Sequence, residues 1–212
     1  MAKNKKIFFY IASNLAFLIP VPGRFAYAFI LILLFLLQMI AVTLLFHAIY
    51  HMKLQNLRNA ILVLTIIALG ILYRQLLIII CPIAALVLGY CIFLPTLASV
   101  IIEFFFLNYH KGVKIHLLSN LKKSSFMTGF SFFFFLLRDI FGYGTFTLPA
   151  WKHIAVFHLP YNPESTGAMV FFSTIPGSLF LVVILLSFYI FLLNKFRILK
   201  NAPKEALMEG EE

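Results

Sequence analysis

This sequence predicts an all-α membrane protein of six transmembrane helices, arranged as a 3+3 inverted repeat with helices one and four broken. Three observations predict it. The 212 residues are 63% hydrophobic and 11% charged, whereas a soluble domain is about 45–50% apolar and about 25% charged, so the polar surface is too small for a fold in water. The apolar residues come in runs close to or beyond the roughly 20 residues that a spanning helix requires. The basic residues sit in short clusters between those runs, the pattern that orients a membrane chain.

The first run, 7–20, follows Lys3, Lys5 and Lys6 and has the outline of a signal peptide. It ends at Pro20-Val21-Pro22-Gly23-Arg24 rather than at a small-residue cleavage site, and a second run follows at once. It therefore reads as a retained first segment, short and broken. The second, 25–48, is a full span. The third, 60–80, is interrupted only by Arg74 and Gln75, and the fourth, 84–107, contains Pro95. The fifth, 125–141, is rich in Phe, and the sixth, 169–193, is the cleanest. Residues 1–202 thus form a six-helix membrane domain, and 203–212, with Glu205, Glu209, Glu211 and Glu212, a polar cytoplasmic tail.

Charge tests that count. With the N-terminus in the cytoplasm, thirteen Lys and Arg fall in inside stretches, in clusters led by Lys3, Lys53, Lys111 and Lys195. Three, Arg24, Arg74 and Lys152, fall outside. The asymmetry predicts both termini in the cytoplasm. The largest outside loop, 142–168, carries Tyr143, Trp151 and Tyr161, aromatics suited to the headgroup level. The formal net charge of +10 belongs to this orientation signal, and with no basic patch interleaved with exposed aromatics a nucleic-acid partner is not expected. No Walker loop, no GxGxxG after a strand, no HExxH and no GxSxG is present.

Several residues are candidates for chemistry. Pro20, Pro22 and Gly23 break the first segment, and Pro82 and Pro95 bound or break the fourth. Broken helices at matching places in two halves point to a midplane site in an inverted repeat; ordinary proline kinks are the alternative. Arg138 and Asp139 end a Phe-rich span, where charge is costly unless it is paired or reaches the interface. Adjacent helical positions do not face each other, so each is expected to find its own partner. The readings are interfacial snorkelling or a polar element beside an ion path. Glu103 reads as a cytoplasm-facing anchor or a proton acceptor. His47, His51, His110 and His116 read as interface residues, with no carboxylate or Cys nearby to complete a metal site. Cys81 and Cys91 lie in apolar sequence, and two thiolates supply half of an iron–sulfur site if a partner brings the rest; the alternative is that they are small buried hydrophobes, the usual state of free cysteine.

Several stretches carry a family resemblance. Leu118-Ser119-Asn120-Leu121 enters segment five. Leu137-Arg138-Asp139-Ile140-Phe141-Gly142-Tyr143-Gly144-Thr145-Phe146 leaves it and is similar to a family pattern L-R-E-x-x-G-x-G-T-L. Val156-Phe157-His158 and Ile175-Pro176-Gly177 precede the last span, and Ile92-Phe93-Leu94-Pro95 lies in the broken fourth. In these the chain resembles the E/D-type membrane subunits of the Rnf and Nqr ion-translocating electron-transport complexes. The match is best over the last ninety or so residues.

The resemblance implies a multi-pass subunit of the bacterial inner membrane. It would pack against a homologous, oppositely oriented partner and other subunits of such a complex. It marks Pro95, Arg138, Asp139, Gly142, Gly144, Thr145 and His158 as motif residues. In the family each subunit of the pair gives two cysteines to a shared 2Fe–2S cluster. Here 14–19 contains no cysteine, and Val100 and Ile101 stand where the second is expected, so the ligands do not carry over. The expectation is a relative that keeps the scaffold without binding a cofactor itself, supporting electron and ion transfer rather than catalysing alone. A small transporter with a midplane substrate site is the alternative.

Overall fold

The computed structural model describes residues 19–52, 55–97, 112–160 and 169–208. The first predicted span up to residue 18, Glu103, His110 and the positions 100 and 101 lie outside them. Four helices among the described residues are long and apolar enough to cross a membrane. They are α1 (Phe25–His51), α2 (Arg58–Ile80), α4 (Val113–Tyr143) and the stretch Ile175–Leu192 of α5 (Ile175–Met208). Between α2 and α4 lies α3 (Pro82–Leu88), extended by a 3-10 turn at Gly89–Phe93.

The breaks follow the sequence chemistry. Pro82 has no N–H to donate and starts α3 at a position that needs none, after Cys81 has left helical geometry at φ −146° and ψ 83°. Seven residues later Gly89 adopts φ +44° and the helix tightens into the 3-10 turn. The expected broken fourth segment is present as far as Leu97.

Three features depart from expectation. The fifth helix starts at Val113, twelve residues before the apolar run, because His116, Asn120 and Ser124 turn inward and are buried. The sixth starts at Ile175 after a separate 3-10 turn at Val170–Ser173, where the run suggested residue 169. Thr174 causes the delay: its backbone is extended, and its hydroxyl accepts the Gly177 N–H at 3.3 Å as a helix cap. At the other end α5 continues to Met208, carrying the first part of the predicted tail through good helix formers such as Lys204, Glu205 and Ala206.

The predicted outside loop contains a β-hairpin. Strand β1 (Thr145–Pro149) pairs antiparallel with β2 (Ile154–His158), and Thr145 lies opposite His158. Thr145, Phe146 and Thr147 of β1 and Ile154, Val156 and Phe157 of β2 suit a pleated surface. The tip closes through an Ala150 N–H bond to the His153 carbonyl at 3.0 Å.

Hydrogen bonds and ring contacts fix the helix directions. The start of α1, the end of α2, the end of α4 and the 3-10 turn before α5 meet at the hairpin. The end of α1 and the starts of α2 and α4 meet at the opposite end, where the Arg58 guanidinium lies over the Phe46 ring and His47 lies beside His116. Thus α1 runs antiparallel to α2 and α4. It is the central helix: 56% of its most apolar stretch is buried inside the protein, against 17% for α2 and 22% for α5. Its core residues Ile30, Leu31 and Leu34 belong to one cluster with Leu77, Leu88, Phe134, Phe135 and Leu181.

Candidate functional site

At the hairpin end, α1 begins without a cap of its own. Arg24 occupies the N-cap position and its side chain makes no capping bond. The first N–H groups of any helix lack partners within it. Here a distant pair of residues supplies them. The Asp139 carboxylate accepts the Phe25 N–H at 3.2 Å, and the Thr147 hydroxyl oxygen accepts the Ala26 N–H at 3.1 Å. The same carboxylate accepts the Thr147 N–H at 2.9 Å and the hydroxyls of Thr145 at 2.8 Å and Thr147 at 2.7 Å. Thr145 and Thr147 reach it together because alternate strand residues share a face. A negative charge is also favoured at a helix N-terminus. Asp139 is fully buried, and one side chain thus joins α4, β1 and α1.

Arg138 points another way. Its guanidinium donates to the carbonyls of Val21 at 2.8 Å, Ser173 at 3.1 Å and Phe172 at 3.3 Å. It is 2% exposed, so it does not snorkel to the interface. These bonds tie α4 to the chain entering α1 and to the 3-10 turn before α5. The two neighbours find separate partners, as their helical positions require.

The rest of the motif shapes this corner. Gly144 ends α4 in the left-handed conformation at φ 64° and ψ 24°, its N–H bonded to the Ile140 carbonyl at 3.0 Å. Gly142 lies against the 3-10 turn so closely that an added Cβ would stand 2.9 Å from the Ser173 nitrogen. Thr145 completes the carboxylate's shell. His158 pairs across the hairpin with Thr145, but its side chain is exposed and is not gathered into the corner.

A second polar cluster lies at mid-length of α1. Gln38, fully buried, donates through Nε2 to the Ile66 carbonyl of α2 at 3.3 Å and to the Thr96 hydroxyl at 3.1 Å. Thr96 follows the buried Pro95, just beyond the 3-10 turn of the broken fourth segment. The polar contact therefore sits just past the break, where residues 94–97 are helical again. Nothing in the apolar pattern around Gln38 singles out this partner, because the contact joins residues 58 positions apart.

The third cluster is at the end away from the hairpin. The His47 and His116 rings have centroids 5.2 Å apart, and His116 is buried rather than at an interface. Asn120 Nδ2 donates to the Thr43 hydroxyl at 3.3 Å and lies 3.3 Å from His116 Nε2. His47 Nδ1 lies 3.3 Å from the Thr43 carbonyl. Among the described residues no group of three or more His, Cys, Asp or Glu is placed to hold a metal ion. The cysteine thiols face different carbonyls, Cys81 that of His153 at 3.9 Å and Cys91 that of Pro20 at 3.7 Å.

Comparison with known protein families, characterised proteins and solved structures finds no match to this chain.

Proposed function

We propose that this chain is a membrane subunit of an Rnf/Nqr-like ion-translocating electron-transport complex, serving as a scaffold without cluster ligands of its own. The observation that carries the reading is the use made of the motif at the hairpin end. Arg138, Asp139, Gly142, Gly144 and Thr145 spend their hydrogen bonds and close contacts on fastening one corner of the bundle. They serve architecture, which suits a frame that sister subunits dock upon. In this reading the segment 7–20 and the broken fourth segment complete six spans in two inverted triplets. The end away from the hairpin, with Arg58, Lys114 and Lys122, faces the cytoplasm of a bacterial inner membrane.

Purification from native membranes in mild detergent tests the assembly. Flavin- and iron–sulfur-containing subunits are expected to co-purify, and recovery as a free homomer removes the proposal. A related outcome concerns iron. Replacing Cys81 or Cys91 by Ser is expected to leave the electron paramagnetic resonance spectrum of the isolated assembly unchanged, because two thiols with separate carbonyl partners make no cluster site. Loss of a cluster signal in either variant would contradict this.

The Gln38 cluster favours a second reading, a small transporter with its substrate site at the break in the fourth segment. Gln38→Leu separates the two. Interhelical side-chain hydrogen bonds in membrane proteins contribute about 0.6 kcal/mol on average, so folding and assembly should survive. Retained assembly and ion translocation support the scaffold. Substrate uptake by liposomes containing this chain alone, abolished in Gln38→Leu, supports the transporter.

A further inference from the structure

The hairpin tip does more than close a turn. It roofs a cavity of about 390 Å³ between the hairpin ends of α1 and α2, a size within the roughly 300–1,000 Å³ of small-molecule sites. One wall is Phe29, Ile30 and Leu33 of α1. The other is Tyr73, Leu76, Leu77 and Ile80 of α2, spaced i, i+3, i+4 and i+7 so that they share one helix face. Pro149, Ala150 and Trp151 close the top. Leu33, Leu76 and Ile80 remain exposed although they sit on helices suited to a bilayer, so the cavity opens sideways toward hydrocarbon.

The walls offer their occupant almost nothing polar. The Tyr73 hydroxyl is committed to the Ile30 carbonyl at 2.8 Å, and the Cys81 thiol faces the His153 carbonyl. Walls of this kind give water few hydrogen-bond partners. Among the lining residues, uncommitted polarity begins only at the tip. Trp151 is 69% exposed, an amphipathic ring of the kind found at headgroup level. Lys152 next to it is exposed, and its N–H is bonded to the carbonyl of the wall residue Ile80 at 3.1 Å. Lys152 is also the one non-glycine residue with positive φ among the described residues, at 64°. Lysine adopts that conformation at a cost that glycine would not incur. Among the described residues Asp139 is the sole carboxylate at this end, and it is buried.

We propose that the cavity takes one acyl chain of an anionic phospholipid from the surrounding bilayer, with the headgroup phosphate at Lys152. The hydrocarbon walls accept the chain, Trp151 marks the interface, and the lysine favours an anionic over a zwitterionic headgroup.

Trp151 is the only tryptophan in the chain, which makes it a selective reporter. The full-length protein is reconstituted in vesicles containing a fixed fraction of chain-brominated phosphatidylglycerol or chain-brominated phosphatidylcholine, and quenching of Trp151 is measured. Brominated phosphatidylglycerol is expected to occupy the quenching site with about fivefold preference, the scale of one basic residue near a membrane surface. Lys152→Gly, which also relieves the positive φ, should bring the two lipids level. Ala150→Phe, which fills the cavity from its roof, should reduce quenching by both. Equal quenching by the two lipids in the unmodified protein indicates ordinary annular contact and overturns the proposal. So does a preference that survives Lys152→Gly, or undiminished quenching in a folded Ala150→Phe. The unmodified protein and Lys152→Gly decide the outcome if Ala150→Phe does not fold.

Discussion

Replacing Asp139 with alanine is expected to unfasten the hairpin end of the bundle and to give one of the two largest losses of stability for a single substitution. Four groups lose their acceptor: the N–H groups of Phe25 and Thr147 and the hydroxyls of Thr145 and Thr147. The hydroxyls can rotate toward other acceptors, whereas the two backbone groups are held by α1 and β1. A buried donor left unsatisfied costs about 1–3 kcal/mol. With the lost favourable charge at the start of α1, the total is about 3–5 kcal/mol. At about 2–4 °C per kcal/mol for a chain of this size, the unfolding midpoint in detergent should fall by about 10 °C. Asp139→Asn should also be damaging, because its amide nitrogen brings donors toward donors. Thr147→Val provides the control. It keeps the carboxylate and the Thr147 N–H bond but removes the acceptor of the Ala26 N–H, and about 1–2 kcal/mol is expected. A midpoint for Asp139→Ala within a degree or two of the unmodified protein would refute the capping role.

Replacing Arg138 with leucine should be nearly as harmful, by about 3–4 kcal/mol, because three carbonyls lose a charged donor and bonds to charged groups contribute about 1.5–3 kcal/mol each. The sum is below three full bonds because a carbonyl missing one partner is penalised less than an orphaned N–H. Lysine should rescue only in part, since a single ammonium lacks the planar fork that meets three carbonyls. The same clamp can be disturbed from its other side. A Cβ on Gly23 would stand 2.8 Å from Arg138 Nε, so Gly23→Val should displace the guanidinium and reproduce much of the Arg138→Leu phenotype. Combining the two distinguishes a shared cause from general damage: acting through one clamp, they should cost clearly less together than the sum of the single variants. Strict additivity would separate Gly23 from the clamp. Membrane insertion of Arg138→Leu should be unimpaired, since the substitution makes α4 more apolar.

The helices were legible where hydrophobicity alone decides them. The runs beginning at Phe25 and ending at Ile80 give α1 and α2 to within a few residues, because burial in lipid asks only for length and apolar character. Pro82 marked a real break for the same local reason, its missing N–H. The start of α4 was not legible. Lys114, Asn120 and Lys122 look like a loop, and only the packing of His116, Asn120 and Ser124 against neighbouring helices makes that stretch helical. The hairpin was hidden by the expectation of a loop, although its β-forming residues and turn stood in the sequence. By its position near a span end His116 reads as an interface residue, and its burial beside His47 depends on a contact across 69 residues.

Charge, hydropathy and proline placement thus determined by themselves that this chain is a set of apolar helices with a broken segment before Pro95, since each is a property of local sequence. Helical periodicity likewise determined that Arg138 and Asp139 part company. Which partners they take was decided by tertiary structure alone. The Phe25 N–H and the Asp139 carboxylate are 114 residues apart, and Val21 and Arg138 are 117 apart. A buried donor accepts any partner of suitable geometry, so composition can state that the need exists, but only the folded chain brings the group that meets it.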